Sequence, residues 1–293
     1  MTAKIIDGKA LAAKVRVACR ARAQCMAAAG VTPGLAVILV GDNPASRIYV
    51  ANKARACAEV GVRSEVIALP ADISEAELLR RIDTLNADPA VHGILVQLPL
   101  PPGIDLHRVL ESISRDKDVD GFHLYNVGAL VMGTTIFPPC TPYGVQLLLE
   151  SENIPVAGQN VVIVGASKIV GKPMALMLMQ KDATVTVCHA KTRDLAQFTI
   201  LADILIVAAG HPKLILAPMV KTGAVVIDVG INRLPNGSLT GDVDFDGVRE
   251  RASFITPVPG GVGPMTVTML IVNTLTSAEH ATARAAASTA VYV

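Results

Sequence analysis

Short uninterrupted apolar runs, spaced by loops and amphipathic segments, constrain the fold of this chain more than any other feature. Residues 35–40 (LAVILV), 93–97 (GILVQ), 160–164 (NVVIV), 204–208 (ILIVA) and 224–229 (AVVIDV) read as strands buried on both faces, the signature of parallel strands covered by helices. Residues 63–69 and 183–188 read as further strands. Between them, residues 8–29 carry Leu11, Val15, Ala18 and Cys19 on one face and read as a long helix stopped by Gly30. Residues 74–85 also read as a helix. So does the stretch that follows the 41–44 loop (GDNP) and ends near Gly61. In the second half, Thr141 reads as the cap of a helix through 149, residues 174–180 as a helix, and Asn236-Gly237 as a tight turn. A last helix is expected over 265–280, with an Ala-rich frayed tail after it. The β-α-β rhythm occurs twice, which predicts two three-layer α/β domains with mainly parallel sheets. The Pro-rich stretch 137–142 (FPPCTP) reads as the hinge between them.

Composition excludes several classes. The 293 residues suit two domains better than one core. Net charge is +1, aromatics are 3% and Trp is absent, which gives nucleic acid neither an electrostatic nor a stacking surface. No apolar run approaches the ~18 residues of a membrane span, and the charged, amphipathic N-terminus is not a secretory leader. The five cysteines are scattered without a Cys-x-x-Cys pair and the histidines lack metal-ligand spacing, so no metal is expected. A cytoplasmic protein is the expectation.

Chemistry concentrates in a few stretches. In SRIYVANK (46–53), helical geometry places Ser46, Tyr49 and Lys53 within an arc of about 60°. A lysine there could shuttle protons if its surroundings lowered its pKa from about 10.4, although an isolated Tyr-x-x-x-Lys more often packs and snorkels. Ligands in such sheets gather beyond the carboxyl ends of strands, where Gln97 and the rigid LPLPPG segment beginning at Leu98 lie. Asp120 in DVDG is a loop carboxylate able to hold an aminopyrimidine edge; Asp116 and Asp118 are its rivals. GASKIVGKP (165–173) follows a buried strand and opens a helix, the context of a dinucleotide turn, with Ser167 where a second Gly is usual. The loop after the next strand offers Lys191 and no carboxylate before Asp194, which leans towards NADP over NAD. The Gly- and Pro-dense ITPVPGGVGPMT (255–266) permits close backbone approach to a ligand.

Taken in order, SRIYVANK, GILVQLPLP, DKDVDGFH, GASKIVGKP and TPVPGGVGPMT resemble the bifunctional methylenetetrahydrofolate dehydrogenase/methenyltetrahydrofolate cyclohydrolase family, from the first helix to about residue 280. The resemblance implies a folate-binding catalytic domain (1–139 with 265–293), a Rossmann-like NADP-binding domain (140–264) and a folate cleft between them. It implies NADP-dependent oxidation of methylenetetrahydrofolate and hydrolysis to 10-formyltetrahydrofolate, in the one-carbon metabolism that serves purine biosynthesis, by a homodimer. Tyr49, Lys53, Gln97 and Asp120 take the catalytic positions. Leu98, Pro259, Gly260 and Gly261 join them around the folate. Thr141, Gly165, Ala166, Ser167, Val170, Gly171, Pro173, Ala190, Lys191, Ile231 and Thr266 take the positions around NADP. Ala166 and Ala190 depart from the family's usual Arg and Ser, which would help hold cofactor phosphates, so NAD stays open as the alternative cofactor, with Lys168, Lys172 and Lys191 as compensating cations. The order of motifs argues against a short-chain dehydrogenase, in which Tyr-x-x-x-Lys follows the nucleotide turn. A non-catalytic folate or nucleotide sensor is the other alternative.

Overall fold

The computed structural model describes residues 2–290, with side chains through 287. In chain order the elements are β1 (Lys4–Ile5), α1 (Gly8–Ala28), β2 (Gly34–Val40), α2 (Pro44–Val60), β3 (Arg63–Leu69), α3 (Glu75–Ala87), β4 (Gly93–Val96), α4 (Leu106–Ser112), α5 (Leu124–Val131), α6 (Cys140–Ser151), β5 (Asn160–Val164), α7 (Gly171–Met179), β6 (Thr184–Cys188), α8 (Leu195–Thr199), β7 (Ile204–Val207), β8 (Val225–Asp228), β9 (Asn232–Arg233), β10 (Leu239–Thr240), α9 (Phe245–Arg249), β11 (Phe254–Ile255) and α10 (Val262–Ala290). The chain divides into two units, 14–140 with 267–293 and 1–13 with 141–266.

The first unit, 14–140 with 267–293, is built on a parallel sheet in the order β3-β2-β4. All seven residues of the central β2 are buried, so its sequence is uninterruptedly apolar. The edge strand β3 has only half-buried and exposed positions, as a strand with one open side should. Ile38, Ile94, Leu78 and Ile82 meet in the core. A further segment runs beside β4: Ile94 N–H donates to Lys117 O at 2.8 Å, and Ile94 pairs in parallel with Asp118. The later turns of α10 fasten that segment. Asn273 Nδ2 donates to Val119 O at 2.8 Å and Pro138 O at 2.9 Å, and Ser277 Oγ donates to Asp116 O at 2.8 Å.

The second unit, 1–13 with 141–266, carries a six-stranded parallel sheet in the order β1-β11-β8-β7-β5-β6. Val162, Val207, Val226 and Ile255 lie in its core. Lys4 and Ile5 pair with Phe254 and Ile255 at one edge, which groups residues 1–13 with this sheet, whereas the expected bounds set them in the folate-binding domain. A two-residue strand carries no periodicity from which to read it.

Prolines account for the shifted helix starts. α6, α7 and α10 each begin two residues before a proline: Pro142, Pro173 and Pro264. Proline fits a first turn because its missing N–H has no intrahelical partner there. Thr141 therefore lies inside α6 and is not its cap. The Ala-rich tail read as frayed continues α10 to Ala290; residues 291–293 lie outside the described residues.

Candidate active site

In the first unit, α2 begins where Asn43 caps it. Asn43 Oδ1 accepts from the N–H groups of Ala45 and Ser46 at 3.0 and 3.1 Å, with Pro44 at the first helical position. The helix so started presents Ser46 buried, Tyr49 37% exposed and Lys53 half-buried. Lys53 Nζ donates to Gln97 Oε1 at 3.0 Å. Gln97 follows β4 directly, and its Nε2 donates to Leu98 O at 2.8 Å, which turns the carbonyl of its amide towards the lysine. Ser46 Oγ reaches the same Leu98 O at 3.5 Å, and the Leu98–Pro99 peptide is cis.

The parallel pairing of Asp118 with Ile94 carries Asp120, two residues on, to the carboxyl end of β4. Burial pushes the Asp120 carboxyl above its usual range; the nearby Lys53 charge opposes this, Asp118 adds to it, and a hydrogen bond with the Cys140 thiol opposes it. The three rival carboxylates are separated by their partners. Asp118 is buried and accepts from Gly121 N, His123 N and Asn126 Nδ2 at 2.8–3.1 Å. Asp116 pairs with Arg284 at 3.1 Å. Asp120 is the one set beside Lys53. Beneath it, Cys140 Sγ donates to Val119 O at 3.4 Å, and burial, then the Asp120 charge, pushes this thiol well above its usual range. Cys140 meets Asp120 itself, while Asn126 holds Asp118 and Asn273 holds Val119 O; no sequence signal marks any of the three.

In the second unit, the glycine turn sits between β5 and α7. Gly165 has φ 120°, and a Cβ there would lie 2.1 Å from Ala208 O. A Cβ on Gly171 would lie 1.8 Å from Gly165 O. Both positions demand glycine. Ser167 Oγ accepts from Val170 N at 3.1 Å, holding the turn. The N–H groups of Ser167, Lys168 and Ile169 have no acceptor among the described residues, which leaves donors for an anion at the start of α7, as a dinucleotide turn requires. Ala166, Val170 and Pro173 belong to the same turn and helix start. Thr141 and Thr266 share a hydrogen bond at 3.0 Å. His189 Nδ1 accepts from Lys191 N at 3.1 Å, and His189 N–H donates to Thr192 Oγ1 at 2.9 Å. This tight turn holds Ala190 and leaves the Lys191 side chain exposed.

Ile231 is 40% exposed. It lines a cavity of about 110 Å³ together with Gly230, Pro259, Gly260 and Gly261. Two larger cavities, about 360 and 780 Å³, lie at the amino ends of the strands of the second and first unit and hold none of the expected site residues. Size does not mark the chemistry here; the converging polar groups do. His92 and His123 have structural roles, with Nδ1 accepting from Gly34 N and Tyr125 N. Among the described residues, no three His, Cys, Asp or Glu side chains are placed to hold a metal, and no helix is long and apolar enough to cross a membrane.

Comparison with known proteins gives consistent matches. Residues 6–120 match the family profile "tetrahydrofolate dehydrogenase/cyclohydrolase, catalytic domain" and residues 139–282 match its NAD(P)-binding domain. The bifunctional protein FolD of Nitrosospira multiformis is 64% identical over 284 residues, covering 97% of this chain and 99% of that protein. The crystal structure of the bifunctional FolD dehydrogenase/cyclohydrolase from Campylobacter jejuni is 54% identical, with a TM-score of 0.93 over 94% of this chain and 99% of that one. The Trypanosoma brucei enzyme, solved with NADP and an inhibitor, is 40% identical, with a TM-score of 0.92 over 96% and 98% of the two chains.

Proposed function

From the premise that this chain belongs to the tetrahydrofolate dehydrogenase/cyclohydrolase family, we infer how its own residues divide the work. The protein oxidises methylenetetrahydrofolate to methenyltetrahydrofolate with NADP and hydrolyses the product to 10-formyltetrahydrofolate. The observation that carries the assignment is the Lys53–Gln97 hydrogen bond at 3.0 Å, made at a strand end beside Asp120.

The glycine cradle, the open N–H groups before α7 and the Ser167 hydroxyl that holds the turn fit a dinucleotide pyrophosphate. Gly165, Ala166, Ser167, Val170, Gly171 and Pro173 would hold it, with Ala190 and Lys191 at its adenosine end and Ile231, Thr141 and Thr266 along the rest. When bound, NADP would supply the hydride acceptor for the folate methylene carbon. The protein's part in that step is positioning. Asp120 accepts hydrogen bonds from the amino edge of the pterin, and the Tyr49 ring stacks on it beside Leu98. Gln97, its amide fixed by Leu98 O, holds the Lys53 amine at the one-carbon unit. Lys53 takes a proton from the attacking water as the C–O bond forms. It returns that proton to the departing ring nitrogen as the C–N bond breaks. The adduct's hydroxyl proton leaves as the formyl carbonyl forms.

Lys53→Met should cut cyclohydrolase turnover by roughly 10²–10⁴-fold, read as the disappearance of methenyltetrahydrofolate absorbance. Near-wild-type hydrolysis would reject the assignment. Methenyl formation measured with NADP and then NAD ranks the two cofactors; binding without turnover would identify a sensor. A homodimeric, cytoplasmic enzyme completes the reading. The edge strand β6 and the exposed Val187, Phe198 and Leu201 nearby support pairing of two copies through the second unit, and a monomeric mass by light scattering at micromolar concentration would exclude it.

A further inference from the structure

At the exits of β7 and β8, two buried carboxylates stand together. Asp228 is 4% exposed and Asp242 is fully buried. Asp242 Oδ2 accepts from the N–H groups of Ala209 and Gly210 at 2.6 and 2.8 Å, directly after β7. Its Oδ1 accepts from Asn232 Nδ2 at 2.8 Å, directly after Ile231. Asp228 Oδ1 accepts from Gly230 N at 2.9 Å and Asp242 N at 3.0 Å, and its Oδ2 from Val243 N at 2.9 Å. The two acids are knit together by glycines. A Cβ on Gly230 would lie 2.2 Å from Asp242 Oδ1, and one on Gly241 would lie 1.9 Å from Asp228 Oδ2. Every acceptor bond is made to an amide N–H; no Lys or Arg takes part. Burying two acids without a cation is costly, and a scaffold needing only a loop closure could use a neutral side chain.

The position of the pair explains what it is for. The strand order reverses between β5 and β7, and a dinucleotide crosses such a sheet at that reversal. With its adenosine end at the exit of β6, its other half must lie over the exits of β7 and β8. Asp242 fixes the first of these loops, whose Ala208 O is the atom packed against Gly165, and through Asn232 it also fixes the second, which carries Ile231.

We propose that Asp228 and Asp242 form a carboxylate clasp that positions the β7 and β8 exit loops under the nicotinamide half of NADP, making them positioning residues for the dehydrogenase step alone. This rests on the cofactor reading above. Two variants test it: Asp242→Asn, and Asn232→Ala, which removes one bond to the clasp. Both are compared with wild type by calorimetric titration with NADP, by dehydrogenase kinetics, and by cyclohydrolase activity on methenyltetrahydrofolate without NADP. Asp242→Asn should raise the NADP Kd and KM by about tenfold or more, and Asn232→Ala by a smaller factor, while cyclohydrolase turnover stays within about twofold of wild type. Unchanged NADP Kd in both variants would overturn the proposal. So would a fall in cyclohydrolase activity parallel to the loss of affinity. If Asp242→Asn does not fold, Asn232→Ala decides by the same criteria. A wild-type protein that binds no NADP would overturn the cofactor reading and the clasp's role with it.

Discussion

Asp120 shows how a single residue acquires its task from its surroundings. Asp116 is engaged by Arg284, and Asp118 is consumed by two backbone N–H groups and Asn126; only Asp120 remains beside Lys53. Burial raises its carboxyl above the ordinary range, so acidification neutralises it earlier than it would an exposed aspartate. In the proposed role, the anion is the form that accepts from the pterin. KM for the folate should therefore rise as pH falls through that raised value, in both reactions. Asp120→Asn should weaken folate binding by about 10–100-fold, the worth of a charge-assisted hydrogen bond, and remove the acid limb of the KM profile. The sequence narrowed the choice to three acids and could not separate them, because the separating partners Arg284 and Asn126 are neighbours only in the folded chain. Cys140 and Asn273 carry no local signal for the same reason: Asn273 meets Val119 across 154 positions of sequence.

Among the elements, the strands were the most legible. β3 and β5 span the expected residues, because continuous and alternating apolar runs report directly on central and edge positions. Helix starts were less so, since a proline reads as a boundary yet sits comfortably inside a first turn. The short helices α4, α5, α8 and α9 carried no apolar period long enough to read. The glycine turn illustrates a geometric demand that sequence only hints at. Gly171→Ala would set a methyl 1.8 Å from a backbone carbonyl oxygen, and no side chain can move aside. It should destabilise the second unit by at least about 1–3 kcal/mol, measured by urea unfolding, and abolish NADP binding. Gly128, inside α5 with nothing within 4 Å of the added carbon, makes the contrast: Gly128→Ala should be neutral or stabilising by up to about 1 kcal/mol.

At the scale of the molecule, one buried acid leaves a signature in stability. Burial raises the Asp228 carboxyl to about 6, against three backbone N–H bonds that pull it down and with Asp242 adding to the rise. The folded chain therefore holds this proton more tightly than the unfolded chain does. Between about pH 4 and 6 the native state binds more protons, so stability falls as pH rises. The loss amounts to about 3 kcal/mol at the upper end. Urea unfolding across that window should show wild type losing stability relative to Asp228→Asn as pH increases; parallel curves would remove the effect.

The grouping of residues 1–13 with 141–266, and of 14–140 with 267–293, bears on how this polypeptide can be taken apart. Neither portion is an unbroken stretch of chain. One scission at residue 140 would strand β1 on the wrong fragment and strip β11 of its neighbour, while the later turns of α10 would be severed from the segment that Asn273 and Ser277 fasten. Neither unit can be obtained from this protein by a single cut; circular permutation with new joins would be needed.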